Sequence, residues 1–121
     1  MPTFSKRSLD NLAACHPDLQ KVAHEAIKHF DFTVICGHRG QADQNKAYET
    51  GKSKTKWPNS KHNKMPSHAF DAVPHPLDWG DRKAFDAMGA AMKAAAKKVD
   101  VRIMWGGDFK SFYDGPHVEL D

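Results

Sequence analysis

Two stretches of the chain carry apolar side chains at the three- and four-residue spacing that places them on one face of a helix. The first stretch begins at Pro17, and its apolar positions are Leu19, Val22, Ala23, Ala26, Ile27 and Phe30. The second has its apolar positions at Phe85, Met88, Met92, Ala95, Ala96 and Val99. Proline suits the first position of a helix because its missing N–H has no partner there. The pattern therefore predicts two amphipathic helices, one over residues 17–30 and one that Asp78 caps.

Two shorter helices are predicted from the residues that begin and end them. Ser8 is a candidate cap for a helix that ends before the His16-Pro17 step, because a residue before proline avoids helical geometry. Residues 41–50 are predicted to form a helix that Gly51 terminates.

Runs of β-branched, aromatic and other apolar residues predict strands at 32–36, 69–73, 101–105 and 118–120. Residues 52–66 are polar and interrupted by Pro58, which predicts a long loop of the kind that tends to be functional. No sequence period recurs. Helices that come before, between and after short strands predict an α+β fold with a small antiparallel or mixed sheet and the helices packed on one side.

Length and cysteine content restrict the class of protein further. A chain of 121 residues allows one modest core, so we expect a single domain over residues 1–121. Cys15 and Cys36 form neither a disulfide framework nor a Cys-x-x-Cys pair, which suits a reducing compartment. The basic N-terminal residues are not followed by an apolar segment, and no run is long enough to span a bilayer, so we expect neither a secretory signal nor membrane insertion.

Positive charge is concentrated in one segment, although the net charge is only +3. Glu49 is the only acid between residues 46 and 64, where six lysines occur: Lys46, Lys52, Lys54, Lys56, Lys61 and Lys64. Such a run is either a solvated face or a surface that attracts an anionic polymer, whether cell-wall material or nucleic acid.

Three residues could hold a catalytic metal ion. A catalytic zinc takes three protein ligands from His, Cys, Asp or Glu and keeps a fourth position open. His62, Asp71 and His117 could supply this set. Asp71 lies in the second predicted strand and His117 precedes the fourth, so two neighbouring strands could bring the ligands together. The sequence therefore indicates a zinc site with these three ligands.

The other histidines are weaker candidates for the metal. His68 lies three residues from Asp71, a spacing that points it to the opposite face of a strand, and His75 lies between two prolines. Three more lie in or beside the helical pattern and are expected at the surface: His16, His24 and His29.

Further catalytic residues follow from their position beside this set. Asp114 lies three residues before His117, so it could reach the metal-bound water as a general base without binding the metal. Arg39 follows the first predicted strand, and it is either a surface ion-pair residue or a functional one. We expect His38 to line the same cleft. Ser60 is expected to orient His62 or the substrate.

These motifs resemble a known family of peptidases. Ser60-x-His62, Ala69-x-Asp71 and Asp114-x-x-His117, with Gly37-His38-Arg39 upstream, look like the VanY and VanX type of zinc peptidase, which cuts peptidoglycan peptides. With the Trp-Gly-Gly-Asp segment and the Pro-His-x-Glu-Leu ending, they most resemble small phage endolysins that are L-alanyl-D-glutamate peptidases. The chain departs from the usual motif because the interval from His62 to Asp71 is two residues longer and Ser67 replaces glycine. We expect the extra residues to bulge from a turn without moving the ligands.

The resemblance implies a hedgehog/DD-peptidase-like fold, one Zn²⁺ ion, and hydrolysis of the bond between L-alanine and D-glutamate in peptidoglycan stem peptides. It also implies that Arg39 contacts the substrate carbonyl. We expect a monomer without a separate wall-binding domain, which stays in the host cytoplasm until another protein permeabilises the membrane. Two alternatives remain open. One is a D-alanyl-D-alanine carboxypeptidase or dipeptidase with the same metal chemistry. The other is a small basic nucleic-acid-binding protein, which the lysine-rich segment alone supports; we expect no specific nucleic-acid binding.

Overall fold

Helices and strands alternate along residues 3–121, the part of the chain that the structure, a computed structural model, describes. The helices are α1 (Lys6–Ala13), α2 (Pro17–Ala26), α3 (Gln41–Glu49) and α4 (Arg82–Lys98). The strands are β1 (Phe32–Cys36), β2 (Ala69–Pro74), β3 (Ile103–Trp105) and β4 (His117–Leu120), and short 3₁₀ turns occupy Lys61–Asn63 and Gly106–Asp108. The N-terminal segment considered above for a secretory signal includes Met1 and Pro2, which lie outside the described residues.

The sheet has the strand order β1-β2-β4-β3, and each neighbouring pair is antiparallel. Of the two predicted kinds of sheet, the antiparallel one is therefore correct. In the register of the sheet, Asp71 lies opposite His117 on one side and, after a shift between Val34 and Cys36, opposite Cys36 on the other. Directly opposed residues share a face of a sheet. The register thus places side chains from β1, β2 and β4 together on one face.

The opposite face of the sheet carries the core. Phe70, Ala72 and Val118 are fully buried there, as period-two alternation along β2 and β4 requires. Helix α1 packs on β1, α4 packs on β2 and β3, and α2 packs on α4. Burying each large apolar side chain contributes about 1.5–3 kcal/mol, so this layer holds the sheet and its polar face in place. The prediction that helices pack on the sheet is right for α1 and α4, whereas α2 packs on α4, and α3 is linked to the rest through polar contacts described below.

A tryptophan fixes the segment that leads from β3 to β4. The Trp105 ring lies against Gly89 of α4 and Gly107, where an added Cβ would come within 2.3 Å and 2.2 Å of ring atoms. Its Nε1–H donates to the Gly115 carbonyl over 2.7 Å. Only glycine fits at those two positions. Since the ring packs on α4 and also bonds to Gly115, it ties residues 106–115 to the core.

The ends of α1 and α2 differ from the sequence prediction. Ser5, rather than Ser8, caps α1 by accepting the Ser8 N–H over 3.2 Å. Ser8 is buried inside the helix, where its hydroxyl accepts the Val34 N–H over 3.0 Å. Helix α2 ends at Ala26 rather than at residue 30. Residues 27–30 continue the apolar spacing as turns, in which the Ile27 and Phe30 N–H groups still donate to the carbonyls four residues earlier.

The beginning of α4 also differs from the prediction, and the cap is Asp81 rather than Asp78. Asp81 accepts the Ala84 N–H over 3.1 Å, whereas Asp78 accepts the Gly80 N–H over 2.9 Å in the preceding turn. Both aspartates satisfy a local N–H, so spacing alone did not distinguish them. No helix within residues 3–121 is long and apolar enough to cross a membrane.

Candidate metal centre and active-site cleft

Asp71 lies between two imidazole rings. Its Oδ1 is 3.4 Å from His62 Nε2 and 3.3 Å from His117 Nδ1, and the ring centroids are 5.2 Å apart. Around a tetrahedral zinc with ligand distances of about 2.0–2.1 Å, neighbouring ligand atoms lie about 3.3 Å apart. The structure thus places both histidines at distances from Asp71 that fit such an ion, while the group of the described residues whose ligand atoms all lie within 4.8 Å of one another is formed by Cys36, His62 and Asp71.

His62 presents one free ring nitrogen to this group. The residue lies in the middle of a 3₁₀ turn that Ser60 caps. Ser60 Oγ accepts the His62 N–H over 3.2 Å, and Asn63 Oδ1 accepts the Ser60 N–H over 3.0 Å. Its Nδ1 lies 2.8 Å from the Gly37 carbonyl, which fixes that nitrogen as the donor. Nε2 is buried and has no hydrogen-bond partner among residues 3–121. Since buried polar atoms are seldom left unpaired, Nε2 fits the role of a metal ligand.

His117 is oriented by a carboxylate on its other side. Its Nε2 lies 2.8 Å from Glu119 Oε1, and Glu119 in turn pairs with Lys61 Nζ at 2.9 Å. Metal-binding histidines commonly donate their second N–H to a carboxylate, which fixes the ring and raises its basicity. The sequence analysis did not assign Glu119 this position. Its spacing of two residues from His117 on a strand was the signal that could have found it.

The charge balance of the group favours bound positive charge. Burial raises the pKa of Asp71, but the close side chains of His117 and His62 outweigh it and hold that pKa well below its usual range. Burial lowers the pKa of both histidines, yet the nearby Asp71 carboxylate and other neighbouring groups raise it to about 10 for His62 and about 9 for His117. The buried Asp71 anion thus attracts cations, and a metal would compete there with protons.

Asp114 lies beside the group, and its backbone, rather than its carboxylate, makes the hydrogen bonds found within the described residues. Its N–H donates to the Gly106 carbonyl over 3.0 Å, and its carbonyl accepts the His117 N–H over 3.1 Å. A Cβ on Gly106 would lie 2.1 Å from the Asp114 carbonyl oxygen, so this close approach requires glycine. Burial, followed by the charge of Asp71, raises the pKa of Asp114. A raised carboxyl pKa inside a cleft is typical of groups that exchange protons in catalysis.

Arg39 is not an ordinary surface residue. Its Nη2 lies 3.4 Å from Asp71 Oδ2, the oxygen that does not face the histidines. Its Nη1 donates to Gln44 Oε1 over 3.1 Å, and its backbone N–H donates to the His62 carbonyl over 2.8 Å. The arginine is therefore fixed to both the ligand segment and α3.

The proposed ligands open into a cleft of about 750 Å³. Asp114, Arg39 and Ser60 line it together with the group around Asp71. Four aromatic residues also line the cleft: Trp79, Phe109, Phe112 and Tyr113. His38 is not among the lining residues, so its position does not support the predicted contact with substrate.

Comparisons with known proteins identify the family of the chain. Residues 2–121 match the family described as phage L-alanyl-D-glutamate peptidase. The chain belongs to this family. The L-alanyl-D-glutamate peptidase of Escherichia phage T5 is 34% identical to it over an alignment of 133 residues. The alignment covers 97% of this chain and 96% of that protein. The crystal structure of the Serratia marcescens L-Ala D-Glu endopeptidase ChiX matches with a TM-score of 0.85 and 32% identity, over 98% of this chain and 89% of that one.

These matches confirm the family, the α+β fold and the class of enzyme that the motifs predicted. Within this phage peptidase, the metal ligands and catalytic residues remain predictions, which the geometry supports to different degrees. His68 lies away from the cleft, where its ring packs edge-on against His16 with centroids 5.5 Å apart. His75 is exposed and also lies outside the cleft lining. Neither position favours these histidines as ligands.

Cys36 and Gln44 are two residues of the site that the sequence analysis missed. The Cys36 Sγ, brought to the site face by the register shift in β1, forms with the ligand atoms of His62 and Asp71 a group within 4.8 Å that could hold a metal. Gln44 is fully buried and its Oε1 accepts from Arg39 and from Asn63, each over 3.1 Å. No local pattern marks either residue, because both reach the site through tertiary contacts.

Proposed function

We propose that this peptidase is a zinc-dependent endolysin that hydrolyses the L-alanyl-D-glutamate bond of peptidoglycan stem peptides, with one Zn²⁺ held by His62, Asp71 and His117. The observation that carries the metal proposal is the unpaired, buried Nε2 of His62. It points to the same Asp71 oxygen that His117 approaches from the other strand. When bound, zinc would activate a water molecule and polarise the scissile carbonyl.

The chain's own residues would then move the protons and stabilise charge. Asp114 takes a proton from the attacking water and delivers it to the leaving amine, a role that its raised pKa and its place in the cleft support. Arg39 stabilises the negative charge that develops on the carbonyl oxygen, and one such donor is worth about 3 kcal/mol. Ser60 keeps His62 in place through the cap on its N–H.

Metal content and turnover separate the role of Asp114 from that of His117. Asp114→Asn is close to isosteric, so we expect it to keep zinc and fold but to lose turnover about 100- to 10,000-fold. His117→Ala should lose zinc and, because metal binding is coupled to folding, also stability. The measurements are zinc per chain by atomic spectroscopy and initial rates on purified cell walls. An Asp114→Asn protein that is zinc-free, or that retains near-normal rates, would show that Asp114 is not the base.

The bond that is cut is identified by the new ends of digested peptidoglycan. Mass spectrometry should find new D-glutamyl amino termini and no released D-alanine. Released D-alanine would instead indicate the carboxypeptidase alternative. The host cytoplasm as the location before lysis stays a prediction, and cell fractionation during phage infection can test it.

A further inference from the structure

Two lysines on the wall of the cleft have no acidic partner. Lys52 and Lys54 line the same cleft as the proposed metal ligands, and no carboxylate within the described residues pairs with either of them. The other two long cations of the cleft are already paired, Arg39 with Asp71 and Lys61 with Glu119. Lys52 and Lys54 are therefore the cleft cations that remain free to meet an anionic ligand.

The backbone around Lys54 is held by a buried side chain. The Nε2 of Gln44 donates to Ser53 Oγ over 2.9 Å and to the Thr55 carbonyl over 2.5 Å. Ser53 and Thr55 are the residues on either side of Lys54. The same Gln44 amide accepts a hydrogen bond from Arg39. One fully buried group thus fixes the position of the lysine segment relative to the active-site arginine.

The cleft itself carries carboxylates, because Asp71, Asp114 and Glu119 all line it. A substrate with a glutamyl residue next to the scissile bond brings at least one further free carboxylate into this space. Like charges brought together in a partly desolvated cleft repel. An anionic substrate therefore needs cations that the protein's own acids do not neutralise, and Lys52 and Lys54 meet that need.

We propose that Lys52 and Lys54 form a subsite for the free carboxylate on the glutamyl side of the scissile bond, which makes them specificity-determining residues of this peptidase. The proposal rests on the proposed function. It also assigns Lys52 and Lys54, which belong to the lysine-rich segment, to substrate binding rather than to a solvated face or to nucleic-acid binding. Binding at this subsite acts on substrate affinity, so its loss should appear in KM more than in kcat.

The test compares two synthetic stem peptides that differ only in this carboxylate, which is replaced by a carboxamide in the second peptide. We expect the wild-type, zinc-loaded enzyme to prefer the carboxylate peptide through a lower KM. Lys54→Gln and Lys52→Gln should each raise KM for that peptide about 2- to 5-fold, the range of an exposed ion pair, and the double variant should lose most of the preference. The preference should also weaken at high salt.

Lys46→Gln is the matched control. It removes the same charge from the same lysine-rich segment, but Lys46 does not line the cleft. If Lys46→Gln raises KM as much as Lys54→Gln does, the lysines act by long-range attraction and the subsite proposal is wrong. Equal KM values of the wild type for both peptides would also overturn it, while leaving the proposed function intact. Failure to cleave either peptide would overturn the proposed function itself, and the subsite with it.

Discussion

Replacing Gln44 by leucine should show how much the buried amide network contributes to the fold. The side chain is 0% exposed. Its oxygen accepts from Arg39 and Asn63, and its nitrogen donates to Ser53 and Thr55. These four bonds use the full capacity of a glutamine amide. Leucine has a similar size and can make none of them, so Gln44→Leu removes the network without opening a large cavity.

The expected loss of stability depends on the groups that lose their hydrogen bond to Gln44. A neutral hydrogen bond contributes about 0.5–1.5 kcal/mol net and one from a charged donor about 1.5–3 kcal/mol. Arg39 and Ser53 are only half-buried, so water can take the place of Gln44 as their hydrogen-bond partner. Asn63 is buried, so its amide would stay without a partner. Leucine also gains some apolar burial. Taking these terms together, we expect the free energy of unfolding to fall by about 2–4 kcal/mol.

Urea unfolding followed by circular dichroism, with saturating zinc, measures this change as a lower midpoint at an unchanged slope. Gln41→Leu is the control, because Gln41 is an exposed residue at the start of the same helix. A loss for Gln44→Leu below about 0.5 kcal/mol, the scale of ordinary surface substitutions, would refute the reasoning. So would an equal loss for Gln41→Leu.

Two further predictions concern the supports of the proposed site. Glu119→Gln should weaken zinc binding about 10- to 100-fold while the chain still folds, because the carboxylate no longer fixes the His117 ring. Competition with a chelator measures the zinc affinity, and an unchanged affinity would show that Glu119 does not fix this ring. Gly106→Ala should reduce kcat at full zinc occupancy, because its Cβ would lie 2.1 Å from the Asp114 carbonyl oxygen and must displace that segment. Gly40→Ala, where an added Cβ meets nothing within 4 Å, should retain kcat, and equal effects of the two alanines would argue against this explanation.

Helices and strands whose apolar residues follow a regular pattern could be predicted from the sequence. The apolar spacing of α2 and α4, the β-branched run of β1 and the apolar run of β2 mark elements that pack against the core. Alternation along β2 places Asp71 on the face opposite Phe70. It could not give the strand order, however, because that depends on which strands pair across long connections. The β2·β4 pairing, which sets Asp71 opposite His117, was therefore a hypothesis that only the structure could test.

Residues that reach the site through irregular structure were beyond such reasoning. Cys36 faces the site because the register of β1 shifts after Val34, and a shift of this kind has no marker in the five residues of the strand. Gln44 lies in a helix whose exposed neighbours are polar as well, so its burial depends on the loop that folds over it. Caps are ambiguous for a related reason, since several polar residues near a helix start can each satisfy a local N–H.

The interval between His62 and Asp71, two residues longer than in the motif that the chain resembles, lies between two segments that the fold holds in place. The capped 3₁₀ turn holds His62 at one end and the pairing of β2 holds Asp71 at the other, so the extra length must lie between them. Lys64, Met65 and Pro66 are all exposed, and the His62 and Asp71 ligand atoms still lie 3.4 Å apart. The exposed residues Lys64, Met65 and Pro66 give the extra length a place outside the proposed site; that the ligands keep their positions stays a prediction.

Ser67, which replaces the usual glycine, then contributes a contact that glycine cannot make. It is fully buried, and its hydroxyl proton faces two acceptors, the Ala69 carbonyl at 2.6 Å and the Gly37 carbonyl at 3.2 Å. That carbonyl is the same acceptor that fixes the His62 ring through Nδ1. A serine at this position can thus hold the acceptor of a proposed metal ligand in place, so the departure from the family motif supports the site rather than weakening it.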